Sequence, residues 1–179
     1  MASTKWTIDP AHSEINFRVR HMMISTVTGG FDTFSGEAET EGDKFANAKI
    51  TFTADIDSVN TRNEQRDGHL KSPEFFDSAA FPQLKFVSHS STTPDADGNY
   101  TLTGDLTIRD VTKPVELKVE FGGIAVDPWG NTRAGFEITG EVNRKDFGLV
   151  WGAVTETGGV VLADMVRIHC HLELIRAQA

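Results

Sequence analysis

The feature that most constrains this sequence is an apolar–polar alternation with a period of two. It recurs along the chain, for example in residues 15–19, 48–56 and 166–174. Successive side chains of a strand point to opposite faces, so this pattern is typical of antiparallel strands with one buried and one solvated face. Turn signals separate the alternating runs, at residues 97–99, 122–123, 127–131 and 157–159. The pattern predicts an all-β fold, either a sandwich or a barrel.

One stretch interrupts the alternation, around residues 61–77. Thr61 and Glu64 have the spacing of a capping box, which predicts a short helix that follows Thr61 through Arg66 and is interrupted or ends near Gly68. Ser72 followed by proline is typical of a second helix start. The sequence therefore predicts a helical insertion in a β protein, placed to close or gate one end of a barrel.

Length and charge narrow the possible functions. With 179 residues and no linker, repeat or low-complexity stretch, residues 1–179 are predicted to form one domain. The 17 basic and 26 acidic residues give a formal net charge of -9, which disfavours nucleic acid and anionic membrane surfaces as partners. No apolar run approaches the length of a membrane span, so the chain is not expected to be membrane-embedded. The N-terminus lacks the pattern of a signal peptide, which predicts a cytoplasmic location, or a periplasmic one if a leader was removed.

Residues typical of catalysis or metal binding are not arranged in any recognisable motif. The sequence contains no nucleophile elbow, phosphate-binding loop or dinucleotide fingerprint, so no catalytic residue and no cofactor are predicted. His169 and His171 lie two apart on a strand and project from one face, which makes half of a metal site. No third ligand follows at a familiar spacing, and the expectation is that no metal binds.

Apolar bulk is the remaining signal. The chain has 12 Phe and 3 Trp, several of them outside the tidy alternations. A barrel of about eight strands encloses an interior that inward side chains either fill or line. An ordinary packed core and a ligand cavity are both compatible with the periodicity.

Four short segments occur in order along nearly the whole chain. They are residues 6–13 (WTIDPAHS), 66–72 (RDGHLKS), 104–108 (GDLTI) and 144–149 (RKDFGL). Together they resemble the YceI-like family of bacterial lipocalin-like proteins that bind polyisoprenoids. The resemblance implies an eight-stranded antiparallel barrel that holds a long isoprenoid or similar fatty amphiphile, for transport, storage or sensing. It also implies a binding protein without catalysis, and it makes a homodimer reasonable.

The apolar residues that we expect to line such a cavity come from the alternating strands and from the insertion. They are Phe17, Phe31, Phe34, Ile50, Phe52, Ala54, Ile56, Leu70, Phe75, Phe76, Leu102, Leu106, Leu117, Phe136 and Trp151. Arg66 and His69 on the insertion are the candidates for a polar head group. Arg66 has an equally good structural alternative in an ion pair with Asp67, and Arg144 is expected to pair with Asp146.

Two other functions remain open at this point. One is an enzyme whose hydrophobic substrate is held in the barrel, with His69 or His21 as general base. Alternatively, the chain is a stress-related interaction protein whose barrel is simply filled. The first alternative lacks a visible set of acid, nucleophile or metal ligands, and the second predicts an interior without a cavity.

Overall fold

The computed structural model describes residues 3–152 and 161–178. In that part of the chain it has eleven strand segments: β1 Ser3–Ile8, β2 Glu14–His21, β3 Ser25–Phe31, β4 Phe34–Glu41, β5 Lys44–Asp55, β6 Val59–Asn60, β7 Gln83–Ser91, β8 Tyr100–Ile108, β9 Val111–Val126, β10 Thr132–Asn143 and β11 Leu162–Arg176. One α-helix, α1, spans Glu64–Lys71, and 3-10 turns occupy Pro10–His12, Ile56–Ser58 and Arg144–Phe147.

These segments close into an antiparallel barrel of eight strands. The ring runs β1-β4-β5-β7-β8-β9-β10-β11 and returns from β11 to β1, where Trp6 pairs with Arg176. The remaining segments are β2, β3 and β6. They continue β1, β4 and β5, respectively, after short breaks, and they pair with one another in the order β2–β3–β6. The predicted eight-stranded antiparallel barrel is confirmed.

Two of the predicted turns join strands as expected, and one does not. Residues 97–99 turn between β7 and β8, and residues 127–131 turn between β9 and β10. Gly122 and Gly123 instead lie inside β9, where the register with β10 shifts by one residue at Gly135. The glycine pair therefore marks a β-bulge, which a glycine at positive φ accommodates without strain (Gly123, φ 109°). The turn predicted at 157–159 lies outside the described residues.

Aromatic side chains fill the end of the barrel away from the helical insertion. Trp6 is buried and its indole N–H donates to Thr40 Oγ1 at 2.9 Å. The Phe45 ring lies 4.9 Å from the Trp6 ring and 4.7 Å from the Phe136 ring, measured between centroids. This cluster closes that end of the interior with apolar surface.

Gly104 on β8 shows how large inward side chains fit within the barrel. A Cβ at Gly104 would lie 2.4 Å from Cζ of Phe86 on the neighbouring strand β7. The missing side chain at Gly104 therefore leaves room for the Phe86 ring.

The helical insertion, residues 61–77, connects β6 to β7 at the opposite end of the barrel. Helix α1 starts later than predicted, because Asn63 rather than Thr61 is its N-cap and accepts from the Arg66 N–H at 2.9 Å. It also continues through Gly68 to Lys71, and the predicted second helix is a series of turns. Of the residues that the structure describes, none belongs to a helix long and apolar enough to cross a membrane.

Candidate functional site

The barrel encloses a cavity of about 250 Å³ whose lining is almost entirely apolar. Every strand of the closed ring contributes to the wall, and the helical insertion contributes at one end. Several wall residues, among them Ile50, Phe52 and Leu117, face inward and yet are only partly buried. A side chain that borders empty space keeps accessible surface, so this partial burial agrees with an interior that is not filled.

Most of the predicted lining residues lie on the cavity wall. They are Phe17, Phe31, Ile50, Phe52, Leu70, Phe75, Phe76, Leu102, Leu106, Leu117 and Phe136. The structure thus places these side chains around one space; whether they contact a ligand stays a prediction.

The other four predicted lining residues do not border the cavity. Ala54 and Ile56 are 0% and 2% exposed in the core, at the end of β5 and the start of the 3-10 turn that follows it. Phe34 packs against the Phe52 ring at 6.3 Å between centroids. Trp151 packs against Phe75, with 5.5 Å between ring centroids. Periodicity identifies the inward face of a strand, but it carries no information about depth along the barrel.

The sequence analysis missed some wall residues for identifiable reasons. Phe45 is out of phase with Ala48 and Ile50, because Asn47 adopts a left-handed conformation (φ 59°) and shifts the alternation by one residue. Phe86 lies two residues after Leu84 on β7, so the apolar–polar alternation of residues 83–86 carries the signal that identifies it.

Two arginines hold the segments that cover the end of the cavity. Arg109, between β8 and β9, donates from Nη1 to the carbonyl oxygens of Phe75 and Gly148, each at 3.3 Å. Arg144 is 4% exposed and donates to the carbonyl oxygens of Leu149 (2.7 Å) and Ala163 (2.9 Å). The carboxylate near Arg144 is Asp164, at 3.9 Å, and not the predicted Asp146.

Arg66 and His69, the predicted head-group contacts, both have partners within the insertion. Arg66 donates from Nε and Nη2 to the side-chain and backbone oxygens of Thr61, each at 2.8 Å. The backbone N–H and the hydroxyl of Thr61 both donate to Oδ1 of Asp67. Arg66 and Asp67 thus meet at Thr61 instead of pairing directly. The His69 ring bonds Glu74 and packs edge-on against Phe75.

Burial keeps two titratable side chains on the cavity wall neutral, Tyr100 and Cys170. Desolvation raises the pKa of the Tyr100 hydroxyl to about 12 and the pKa of the Cys170 thiol to about 11. A thiol with a raised pKa is a poor nucleophile near neutral pH. Neither Tyr100 nor Cys170 is therefore an activated nucleophile on this apolar wall.

Two groups of possible metal ligands lie among the described residues, and neither is in the cavity. One is Asp9, His12 and Glu173; the other is Glu137, His169 and His171. The expectation that no third ligand accompanies His169 and His171 came from sequence spacing alone. The structure supplies Glu137 from the neighbouring strand, and the spacing rule could not detect it.

Comparisons with known proteins agree with this architecture. Residues 6–174 match the family model of the YceI-like domain. A UPF0312 protein of Staphylococcus aureus (strain MSSA476) is 37% identical over 171 residues, which cover 95% of this chain and 96% of the relative.

Solved structures resemble the barrel as well. The YCEI protein of Campylobacter jejuni is 30% identical, with a TM-score of 0.76 over 89% of this chain and 90% of that one. A polyisoprenoid binding domain from Saccharophagus degradans is 16% identical and shares the fold, with a TM-score of 0.73 over 96% of this chain and 98% of that one. Because the family model spans nearly the whole sequence, this chain belongs to the YceI-like family.

Proposed function

We propose that this protein binds the apolar chain of an isoprenoid or similar amphiphile inside its barrel, for transport, storage or sensing. The observation that carries the proposal is the cavity of about 250 Å³ with its apolar wall. The polyisoprenoid binding domain from Saccharophagus degradans has the same fold, which supports the choice of ligand class.

The wall chemistry explains why such a ligand would prefer the cavity to water. Each methylene group that leaves water gains about 0.8 kcal/mol, so affinity grows with the length of the buried chain. A charged head group gains nothing from an apolar wall and is costly to bury without partners. We therefore expect the head group to stay at the end covered by the insertion, where Arg66 and His69 remain the predicted contacts.

The same observations favour binding over the two alternative functions. Tyr100 and Cys170 are neutral, and His69, a candidate general base, already bonds Glu74 on the insertion. A stress-related interaction protein with a filled core would leave no cavity of this size. We therefore propose a carrier or sensor without catalytic turnover.

Mass spectrometry of an organic extract of the purified protein tests the ligand class. We expect one amphiphile with a long apolar chain, at close to one molecule per protein chain. Protein that yields no lipid, and that takes up none when offered farnesol or a fatty acid, would contradict the proposal. Chemical conversion of the bound lipid would instead support an enzyme.

A pair of neighbouring residues on β5 tests the location of the ligand. Ile50 lines the cavity and pairs with Ala38, a small residue on the neighbouring strand β4. Lys49 is exposed on the outer face of the barrel. Ile50→Trp should occupy ligand space and weaken binding of a fluorescent fatty acid by about tenfold or more, since each methylene displaced loses about 0.8 kcal/mol.

Lys49→Trp is the matched control, with the same new side chain one residue away, and it should bind like wild type. Both variants are compared after lipid removal, because bound ligand itself raises stability. Equal affinities for Ile50→Trp, Lys49→Trp and wild type would place the ligand outside the barrel.

A further inference from the structure

We propose that the outer face of the barrel carries a binding site for a divalent transition-metal ion of the zinc class, formed by Glu137, His169 and His171. One ligand atom from each of these residues lies within 4.8 Å of the others. His169 Nε2 lies 2.6 Å from Glu137 Oε1, and the two imidazole rings lie 4.6 Å apart between centroids. This site is separate from the lipid cavity.

Strand pairing builds the cluster. His169 and His171 are two residues apart on β11, so their side chains share one face. Glu137 on β10 pairs directly with His171, while the intervening pair Ile138 and Cys170 lines the cavity. All three possible ligands therefore project outward from two hydrogen-bonded strands, which hold their backbone positions fixed.

The surroundings of the cluster are acidic. Glu120 on β9 pairs with Glu137, and Glu14 on β2 pairs with His171. Four neighbouring strands thus present three carboxylates and one imidazole in a single row. The negative charge of these carboxylates favours the approach of a cation.

The chemistry of the three residues selects the class of metal. Two imidazoles and one carboxylate form a ligand set that zinc uses when one coordination position is left for water. Tetrahedral bonds of about 2.0–2.2 Å place ligand atoms roughly 3.4 Å apart, which rotation of exposed side chains can reach from the present arrangement. The side chains of Glu137 and His169 are 40% and 31% exposed, so an ion can enter from solvent. Imidazole also favours Cu²⁺, whereas Mg²⁺ and Ca²⁺ prefer oxygen ligands.

The second cluster shows why the first is the better candidate. Arg133 Nη1 donates to Asp9 at 2.7 Å and to Glu173 at 2.8 Å. A guanidinium thus already neutralises the carboxylates that would bind a metal there. Glu137 instead bonds the His169 imidazole, and a bound metal ion would take the place of the proton in that bond.

The test is titration of tag-free, full-length protein with Zn²⁺ alone, by isothermal calorimetry at neutral pH. We expect one ion per chain for wild type, tighter binding of Cu²⁺ than of Zn²⁺, and no heat from Mg²⁺. His171→Ala should weaken zinc binding by about tenfold or more, because it removes a ligand. Glu137→Gln should weaken it as well, although glutamine still hydrogen-bonds His169.

His89→Ala is the matched control. His89 also pairs with a carboxylate on the outer face, Asp105 at 2.8 Å. The His89→Ala variant should bind zinc with the same affinity as wild type. Circular dichroism of each variant checks folding, and the fatty-acid affinity should be unchanged in all of them. Failure of wild type to bind Zn²⁺ at micromolar concentration, or equal zinc affinity in wild type, His171→Ala and Glu137→Gln, would overturn the proposal.

Discussion

At the scale of single residues, Arg144 is a charged side chain that is almost fully buried, which costs free energy unless the charge has hydrogen-bond partners. Burial lowers the pKa of its guanidinium, and the nearby Asp164 opposes that shift. The charge is accommodated because its N–H groups donate to backbone carbonyls, among them those of Leu149 and Trp151 at 2.7 and 2.6 Å. Without Arg144, these oxygens would be left without a donor at the end of the cavity.

We expect Arg144→Met to lower the free energy of unfolding by at least about 2 kcal/mol, because a buried carbonyl without a partner costs about 1–3 kcal/mol. Arg144→Lys should also be destabilising, since one ammonium group cannot reproduce the planar fork of donors. Urea denaturation of lipid-free protein measures both changes. If Arg144→Lys were as stable as wild type, the positive charge alone, and not the hydrogen-bond geometry, would account for the stabilisation by Arg144.

At the scale of elements, helix α1 is anchored mainly through one residue that precedes it. Thr61 is buried, and its hydroxyl accepts from Arg66 Nε and donates to Asp67. The helix itself has no buried residue, so packing alone does not hold it. The hydrogen bonds at Thr61 therefore position the insertion over the cavity.

Thr61→Val keeps the shape of the side chain and removes its hydroxyl. We expect the free energy of unfolding to fall by at least about 1.5–3 kcal/mol, the range of a single hydrogen bond to a charged group. Amide hydrogen exchange should become faster in residues 64–71 while the barrel strands stay protected. Asn63→Ala, which removes the N-cap, offers a comparison with a cost of about 1 kcal/mol. Uniform loss of protection across the barrel would contradict a local anchoring role.

At the scale of the whole molecule, Arg133 links three distant segments of the barrel. It bonds Asp9 after β1, Asp127 in the turn between β9 and β10, and Glu173 on β11. Arg133 lowers the pKa of Asp127 to about 2 and also lowers the pKa of Asp9. A carboxylate whose pKa is lower in the folded state stabilises the fold above its unfolded pKa, and this stabilisation is lost as pH falls through the folded value.

Arg133→Gln should therefore be less stable than wild type near neutral pH. The difference in the free energy of unfolding between the two proteins should shrink as pH falls from about 4 to about 2, because protonation of the carboxylates removes the ion pairs from wild type. Urea midpoints across this range measure it. Arg167→Gln is the control, because Arg167 is exposed and its contact with Glu141 is 3.4 Å long. The stability of this variant should follow that of wild type at every pH. A constant difference between Arg133→Gln and wild type at all pH values would exclude the electrostatic explanation.

Much of the architecture follows from local patterns in the sequence. The alternation at 48–56 and 166–174 identified strands and their inner faces, since a strand side chain changes face at every residue. The interruption near Thr61 located the only helix of the described residues within its predicted region. These properties depend on neighbours within a few positions, so composition and spacing are sufficient to predict them.

The tertiary structure alone decided which residues meet across the barrel. Ile50 borders the cavity and Ala54 does not, although both lie on the inner face of β5. Closure of the sheet sets how far along the barrel each residue lies, and the period-two pattern gives only the face. Glu137 joins His169 only through the register of β10 against β11, across 32 residues of sequence. Pairing register is a property of two distant segments together. The sequence by itself therefore determined strands, faces and family, whereas the cavity boundary and the outer cluster arose from long-range packing.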